Sequence, residues 1–384
     1  MSTRLSRSIV AIAMAGIGLA VTGALAAVPG ATFLRAPSFD PAGNSAPPPV
    51  MTTPVAVFGT DERRPLPAAL RPLRHSIGLL SSRPERTLCT AFCVGRQTIA
   101  TAAHCLFRTA NERRPDIATF RFAVAPPAAR KTSRVMGATA NAANQSVIAG
   151  AARLSVTPPI DATGDWALLR LAKPVCSGNS LVVEPITPTR IHRLAARGRL
   201  LHVAFRGTLD DWSLSVSEKC STRTHLADKA DRQLKRDFTD TRSLLLHTCD
   251  AGPASSGSPL LALAPDRHIK VVAMNVGTYQ QTRYLVSGDT VRRRFKPATV
   301  ANTAISADAF ADAILAFMRT EILRAPSDIS RLQTALNRRG FKAGAVDGLY
   351  GAQTRSALVE FERSIGLPGY GLLTPQALSR LAGP

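Results

Sequence analysis

The sequence predicts a larger all-β unit followed by a small all-α unit, and three observations carry that expectation. The chain has 384 residues, more than a single hydrophobic core usually fills, so two folded units are expected. From Val55 to about Val300, short apolar runs alternate with turn-rich stretches and no long helical period intervenes, the pattern of an all-β barrel or sandwich. After Ser306 the apolar period changes to that of a helix and stays there to the end. With 45% hydrophobic and 19% charged residues and a mean hydropathy of +0.04, the composition supplies cores and excludes wholesale disorder.

The N-terminus places Arg4 and Arg7 before an apolar run from Ile9 to about Val28, with the small residues Ala24 to Ala26 near its end. This charged, apolar and cleavage-site order predicts a signal peptide over 1–26. The alternative is an uncleaved anchor, because the run approaches bilayer-spanning length. No later stretch comes close, so the remainder is expected to be exported without a transmembrane segment. Residues 27–54 are proline-rich and aperiodic and read as a linker or propeptide.

A β unit is expected over 55–323, with strands at "HSIGLL", "QTIATAA", "ATFRFAV", "WALLRL", "RLLHVAF" and "IKVVAMNV". The charged stretch "HLADKADRQLKRDF", His225 to Phe238, has helical propensity and reads as a surface insertion. A helix closes the unit from Ser306, its expected cap, with Phe310, Ile314 and Phe317 on one face. "RAPS", Arg324 to Ser327, reads as a hinge, and 328–384 as the helical unit.

Forty-eight basic residues stand against 26 acidic ones, a net +22. Removing residues 1–26, which hold Arg4 and Arg7 and no acid, still leaves +20. Such a surface attracts polyanions, yet aromatics are 5% and no nucleic-acid-reading signature is present, so no specific nucleic-acid partner is expected. Neither a C-x-x-C pair nor an H-E-x-x-H helix occurs, so no metal and no cofactor is expected.

Three stretches carry chemistry together: "IATAAHCLF" with His104, "GDWALLRL" with Asp165 and "CDAGPASSGSPLL" with Ser255 and Ser256. Singly, each is a structural histidine, a cap or a small-residue turn. In the order His, Asp, Ser they match an arrangement used for acyl transfer. Here the chain resembles the trypsin-like serine peptidases, carried by Thr101 to Cys105, Asp165 to Leu171 and Ser255 to Pro259. The resemblance implies a double β-barrel with a cleft between the barrels. It also assigns Ser256 as nucleophile, His104 as general base and then acid, and Asp165 as the group that orients the imidazole. Ser256 rather than Ser255 is the match, because it directly precedes "GSP". The resemblance further implies an oxyanion hole from the N–H groups of Ala254 and Ser256, and a substrate-pairing edge at Asn275, Val276 and Gly277 in "MNVG". His247 falls in the implied pocket wall.

Where this chain departs from the family, Ala254 replaces a glycine, and if the position needs positive φ the methyl carries an energetic cost. Ser255 replaces an aspartate that pairs with a freshly cut N-terminus in digestive relatives, so that activation does not operate here. Bacterial glutamyl endopeptidases share this lack, and "VFGTDERRPL" from Val57 resembles the start of their mature chains, placing a mature start between Val55 and Val57. Met274 stands where their specificity histidine would be, which puts glutamate preference in doubt. The resemblance pairs Cys89 with Cys105 beside the histidine loop. Cys220 and Cys249 are placed to staple the approach to the nucleophile loop, and Cys93 and Cys176 are left to pair or stay free.

Asp328 to Leu381 resembles the three-helix peptidoglycan-binding domain, through Leu332, Gln333, Leu336, Gly340, Asp347, Gly348, Tyr350, Gly351, Thr354, Ala357, Phe361, Gly366, Leu367, Gly371 and Thr374. Its helices are expected to end at Gly340 and Gly366 and to restart at Thr374, with Leu332, Leu336, Leu358, Phe361, Leu378 and Leu381 as core. The segment holds seven basic and four acidic residues, a charge of +3 that suits an acidic wall polymer. The combined expectation is a secreted or periplasmic, wall-associated serine endopeptidase whose partners are a protein or peptide substrate and peptidoglycan. The alternatives are a protease-like binding protein with little or no turnover and a wall-hydrolase accessory.

Overall fold

Two curled antiparallel sheets form the body of the molecule, and four helices follow them among the described residues. The computed structural model describes residues 57–383 except 108–115, 125–129, 138–140, 142–143, 152–158, 208–211, 224–233, 265–267, 282–283, 288–289, 295–297 and 321. The expected signal peptide and the linker or propeptide lie outside the described residues. So does most of the expected insertion, whose described part from residue 234 is a single helical turn.

After the two-residue edge strand β1 (Arg64–Pro65), the first sheet is built from β2 (Ile77–Ser82), β3 (Thr87–Gly95), β4 (Thr98–Thr101), β5 (Arg121–Val124), β6 (Lys131–Arg134), β7 (Val147–Ala149) and β8 (Ala167–Arg170). Their order in space is β6-β5-β2-β3-β4-β8-β7. A bridge between Val135 and Leu171, continued by the Met136 N–H to the Arg170 carbonyl, joins the end of β6 to the end of β8 and closes the sheet on itself. Closure removes the exposed edge an open sheet would present. Ile77, Leu80, Phe92, Ile99, Phe122 and Leu168 fill the interior and are completely buried.

The second sheet comprises β9 (Val182–Val183), β10 (Leu200–Gly207), β11 (Trp212–Ser217), β12 (Leu244–His247), β13 (Pro259–Leu263), β14 (Ile269–Gln281) and β17 (Ala298–Ser306), with the separate hairpin β15 (Tyr284–Ser287) and β16 (Thr290–Arg294) between the last two. Its path is β1-β11-β10-β13-β14-β17-β12, with β9 alongside β14. The Thr222–His247 bridge joins the stretch after β11 to β12, at the Cys220–Cys249 disulfide. The short helix α1 (Pro188–Ala195) leads into this barrel. All six cysteines are paired: Cys89–Cys105 and Cys220–Cys249 agree with the sequence reading, and the pair left open there is a disulfide, Cys93–Cys176.

The closing helix α2 (Ala311–Arg319) buries Phe310, Ile314 and Phe317 as expected. Ser306 does not cap it. It ends β17, and its hydroxyl donates to the Ser243 carbonyl and to Asp308, while a separate turn, Ala307–Ala309, precedes the helix. Arg170 donates to the Phe317 and Thr320 carbonyls and stacks 4.6 Å from the Phe317 ring, so a cation sits at the C-terminal end of α2.

The C-terminal unit consists of α3 (Pro326–Arg338), α4 (Ala352–Ser364) and α5 (Pro375–Ala382). Gly340 (φ +86°) and Gly366 (φ +78°) follow the first two helices, and the Thr374 hydroxyl accepts from the Ala377 N–H at the start of the third. Five of the six expected core leucines and phenylalanine are buried. Leu378 is instead 53% exposed, because Ala377 and Leu381, four apart, take the inward stripe of α5. "RAPS" does not separate the units freely. Gln145 brackets Leu323 through both its amide groups, and Pro326 already starts α3. Beyond it, Asn144 donates to the Tyr350 carbonyl, Arg355 donates to the carbonyls of Asn144 and Val147, and Trp166 meets Tyr370 edge to face at 6.2 Å. The helical unit is therefore docked on the first barrel next to Asp165.

Candidate active site

The site lies where the two barrels meet, and each barrel delivers part of it at the end of a strand. β4 runs out at Thr101 into the short turn Ala103–Cys105, which carries His104 and is tied back to β3 by the Cys89–Cys105 disulfide. Asp165 stands two residues before β8, the neighbour of β4, so adjacent strands bring together residues 61 apart in sequence. The Asp165 carboxylate accepts the His104 backbone N–H at 2.9 Å through Oδ1 and meets Nδ1 of the ring at 2.7 Å through Oδ2. Both oxygens are used, which fixes the ring's orientation and puts the proton on Nδ1. Nε2 is thereby left as an acceptor, and it has no hydrogen-bond partner among the described residues.

The second barrel contributes the loop 250–258. It turns through Gly252 and Ser255, whose N–H groups bond to the Ser255 hydroxyl and the Gly252 carbonyl respectively, and Ser258 N–H closes back on the Ser255 carbonyl. Ala254 has φ +67°, so the position that the sequence reading singled out does adopt the left-handed conformation. Its methyl is buried against Leu79, Leu88 and Phe205, side chains of both barrels. Within this turn the N–H groups of Ala254 and Ser256 have no acceptor among the described residues. Successive N–H groups around a left-handed residue form an anion-holding concavity.

Ser256 is 92% buried against the histidine turn. A β-carbon at Gly257 (φ +80°) would stand 2.2 Å from Thr101 Oγ1 and 2.4 Å from the Thr90 carbonyl oxygen, so only glycine lets the serine loop approach this closely. The Ser256 hydroxyl makes no hydrogen bond to His104 Nε2. Bonds of this kind are commonly long before substrate binds and tighten in the complex.

Asn275 lies behind the loop. Its amide nitrogen donates to the Ser255 carbonyl and its oxygen meets His247 Nε2 at 3.1 Å, while its backbone carbonyl takes the Gly257 N–H. Val276 and Gly277 continue along β14 toward Thr303 of β17. His247, read from sequence as a pocket-wall residue, is completely buried beside His202, with the rings 5.9 Å apart. His202 meets the Asp250 carbonyl at 3.1 Å and the Ser258 hydroxyl at 2.6 Å. Burial holds His202 down to about 4 and His247 to about 3, so both imidazoles are neutral at physiological pH.

Two contributors escaped the sequence reading. Asp250 accepts the N–H groups of Phe58 and Glu62, strapping the N-terminal segment to the start of the serine loop. Thr90 holds the same loop from the first barrel. The signal for Asp250 was its place next to Cys249. For Thr90, in the middle of an apolar strand, no sequence signal exists.

In the C-terminal unit, Asp347 and Tyr350 shape the loop they stand in. Asp347 accepts from Gln333 and the Leu349 N–H, and the buried Tyr350 hydroxyl donates to the Gly371 carbonyl.

Comparison with known proteins agrees with both units. Residues 89–274 match the trypsin-like peptidase domain and residues 326–381 the peptidoglycan binding domain. Over 54 residues the chain is 41% identical to the N-acetylmuramoyl-L-alanine amidase CwlM of Mycobacterium tuberculosis, covering 14% of this chain and 13% of that protein. Among solved structures, mouse neuropsin, a serine protease expressed in the limbic system of the brain, aligns with a TM-score of 0.43 and 15% identity over 67% of this chain and 99% of its own.

Proposed function

Since the chain carries a trypsin-like peptidase domain followed by a C-terminal peptidoglycan-binding domain, we propose that it is an exported serine endopeptidase held at the cell wall, secreted or periplasmic. The observation that carries this reading is the His104–Asp165 pair set against a serine loop whose two unbonded N–H groups flank Ser255. In the reaction, Ser256 Oγ attacks the scissile carbonyl while His104 Nε2 takes its proton. The Ala254 and Ser256 N–H groups hold the developing oxyanion, each donor worth roughly 3 to 4 kcal/mol of barrier. His104 then returns the proton to the leaving amine, and a water repeats the sequence to release the acyl group. Asn275 to Gly277 offers the edge along which an extended peptide pairs. Ser255 has a supporting role, accepting one N–H within its own turn.

The alternative, a binding protein without turnover, drew its support from Ala254. The φ of +67° argues the other way, because the backbone already takes the course glycine would give it. A fluorophosphonate probe tests the reading. Wild type and Ser255→Ala are expected to label and to cleave a soluble peptide within about tenfold of each other, while Ser256→Ala and His104→Ala lose both by several orders of magnitude. Labelling that survives Ser256→Ala would end the proposal. Retention on insoluble peptidoglycan, lost on removing 328–384, tests the tether.

A further inference from the structure

Thr90 is completely buried in the middle of β3 and makes four hydrogen bonds, two of them to the serine loop. Its hydroxyl donates to the Ala254 carbonyl at 2.8 Å and accepts the Phe205 N–H at 2.9 Å. Its backbone N–H donates to the Ser256 carbonyl at 2.9 Å, and its carbonyl accepts the Thr101 hydroxyl at 2.8 Å. One residue of the first barrel thus grips the carbonyls of Ala254 and Ser256, a strand of the second barrel and the strand end that leads to His104. We propose that Thr90 is the positioning residue of the oxyanion hole, its hydroxyl locking the Ala254–Ser255 peptide in the orientation that leaves the Ala254 and Ser256 N–H groups together and unbonded.

The need for such a lock follows from Ala254. A non-glycine residue in the left-handed region favours leaving it, and rotation of the flanking peptide is the motion by which it would leave. A hydrogen bond to the Ala254 carbonyl opposes that rotation directly. It comes from a β-branched side chain, stiff at χ1, on a strand paired on both sides. The burial of the Ala254 methyl against Leu79 of β2 and Leu88 of β3, the strand that carries Thr90, works in the same direction. Because the lock shapes the concavity that holds the transition-state oxyanion and leaves the peptide-pairing edge of β14 untouched, its removal lowers kcat and spares KM.

The inference rests on the peptidase reading, and its test separates the two. In the full-length mature protein, Thr90→Val keeps the shape and removes the hydroxyl, and Thr90→Ser restores it. Titration with fluorophosphonate counts competent sites, so that kcat is expressed per site and unfolded molecules do not enter. Thr90→Val is expected to lower kcat and the rate of phosphonylation by about 30-fold with KM within about threefold, and Thr90→Ser to recover kcat to within about threefold. Wild-type kcat in Thr90→Val, or a loss confined to KM, overturns the inference while leaving the peptidase reading standing. If the valine variant does not fold, the serine variant decides: a kcat tenfold or more below wild type means that shape and not the hydroxyl is what matters. Failure of the wild type to label at Ser256 would instead remove the peptidase reading itself.

Discussion

Replacing Ala254 with glycine isolates the energetics of the serine loop. Alanine at φ +67° carries roughly 1–2 kcal/mol of strain that glycine lacks. Against that relief stand the loss of a buried methyl packed on Leu79, Leu88 and Phe205, about 0.8 kcal/mol, and the added freedom of glycine in the unfolded chain, about 0.4–1 kcal/mol. The opposing effects cancel to within about 1 kcal/mol, so the melting temperature should move by no more than about 4 °C. Activity should also change little, by less than about threefold in kcat/KM on a soluble peptide, because the backbone already follows the path glycine would take. Thermal melts followed by circular dichroism and steady-state hydrolysis provide both readouts. A rise of 30-fold or more, equivalent to about 2 kcal/mol of barrier, would refute the reasoning: the methyl would then be deforming the hole. Ala254→Val, β-branched at the same φ, is the matching control and should be clearly destabilised.

Acid should loosen the peptidase unit through its buried imidazoles. Burial depresses His202 and His247 in the folded state to about 4 and about 3, so their contribution is complete above the unfolded value near 6.5. It is lost as pH falls from there toward those values, at up to about 1.4 kcal/mol per pH unit for each ring. Unfolding free energies measured between pH 7.5 and 5 should fall with proton uptake on unfolding, and a flat profile would contradict the burial. Glu362 gives the opposite sign. Burial raises it to about 7, so its contribution is complete below about 4.5 and lost as pH rises through about 7. Glu362→Gln, which keeps an acceptor for the Gly371 N–H, should therefore slow amide exchange in α4 at pH 8 and leave it unchanged at pH 4.5; equal effects at both pH values would count against a strained carboxylate. Removing 328–384 uncovers Trp166 and takes Arg355 from the Asn144 and Val147 carbonyls. The remaining peptidase unit should melt several degrees lower while cleaving a small peptide within about fivefold of the full chain. An unchanged melting temperature would mean that the docked face contributes nothing to stability.

The strands that could be read in advance, such as "WALLRL" and "RLLHVAF", are those whose apolar runs are bounded by turn residues. β3 was not among them, because "TLCTAFCVG" is buried on every residue and so shows no alternation to distinguish strand from loop. Ser306 and Leu378 were misread for a related reason: a serine before a helical pattern looks like a cap until the strand before it claims its hydroxyl, and a leucine at helical spacing looks like core until its neighbours fill the stripe.

Local chemistry at single positions was determined by the sequence alone. Gly340, Gly366 and Thr374 end or start helices because backbone conformation and capping depend on the residue itself, and the order of His104, Asp165 and Ser256 was visible because the strand ends that carry them follow one another along the chain. Tertiary structure decided whatever depends on closing a barrel or apposing two of them. Only when residues 16, 83 and 29 apart come together is the cysteine pairing defined. Only the meeting of the barrels puts Thr90 on the carbonyls of Ala254 and Ser256, and only the docking of α4 brings Arg355 to the carbonyls of β7 and its approach. The Thr90 and Arg355 hydrogen bonds join residues more than 100 positions apart whose side chains have no periodicity in common, and bonds of that range are specified by the packed geometry rather than by any local pattern.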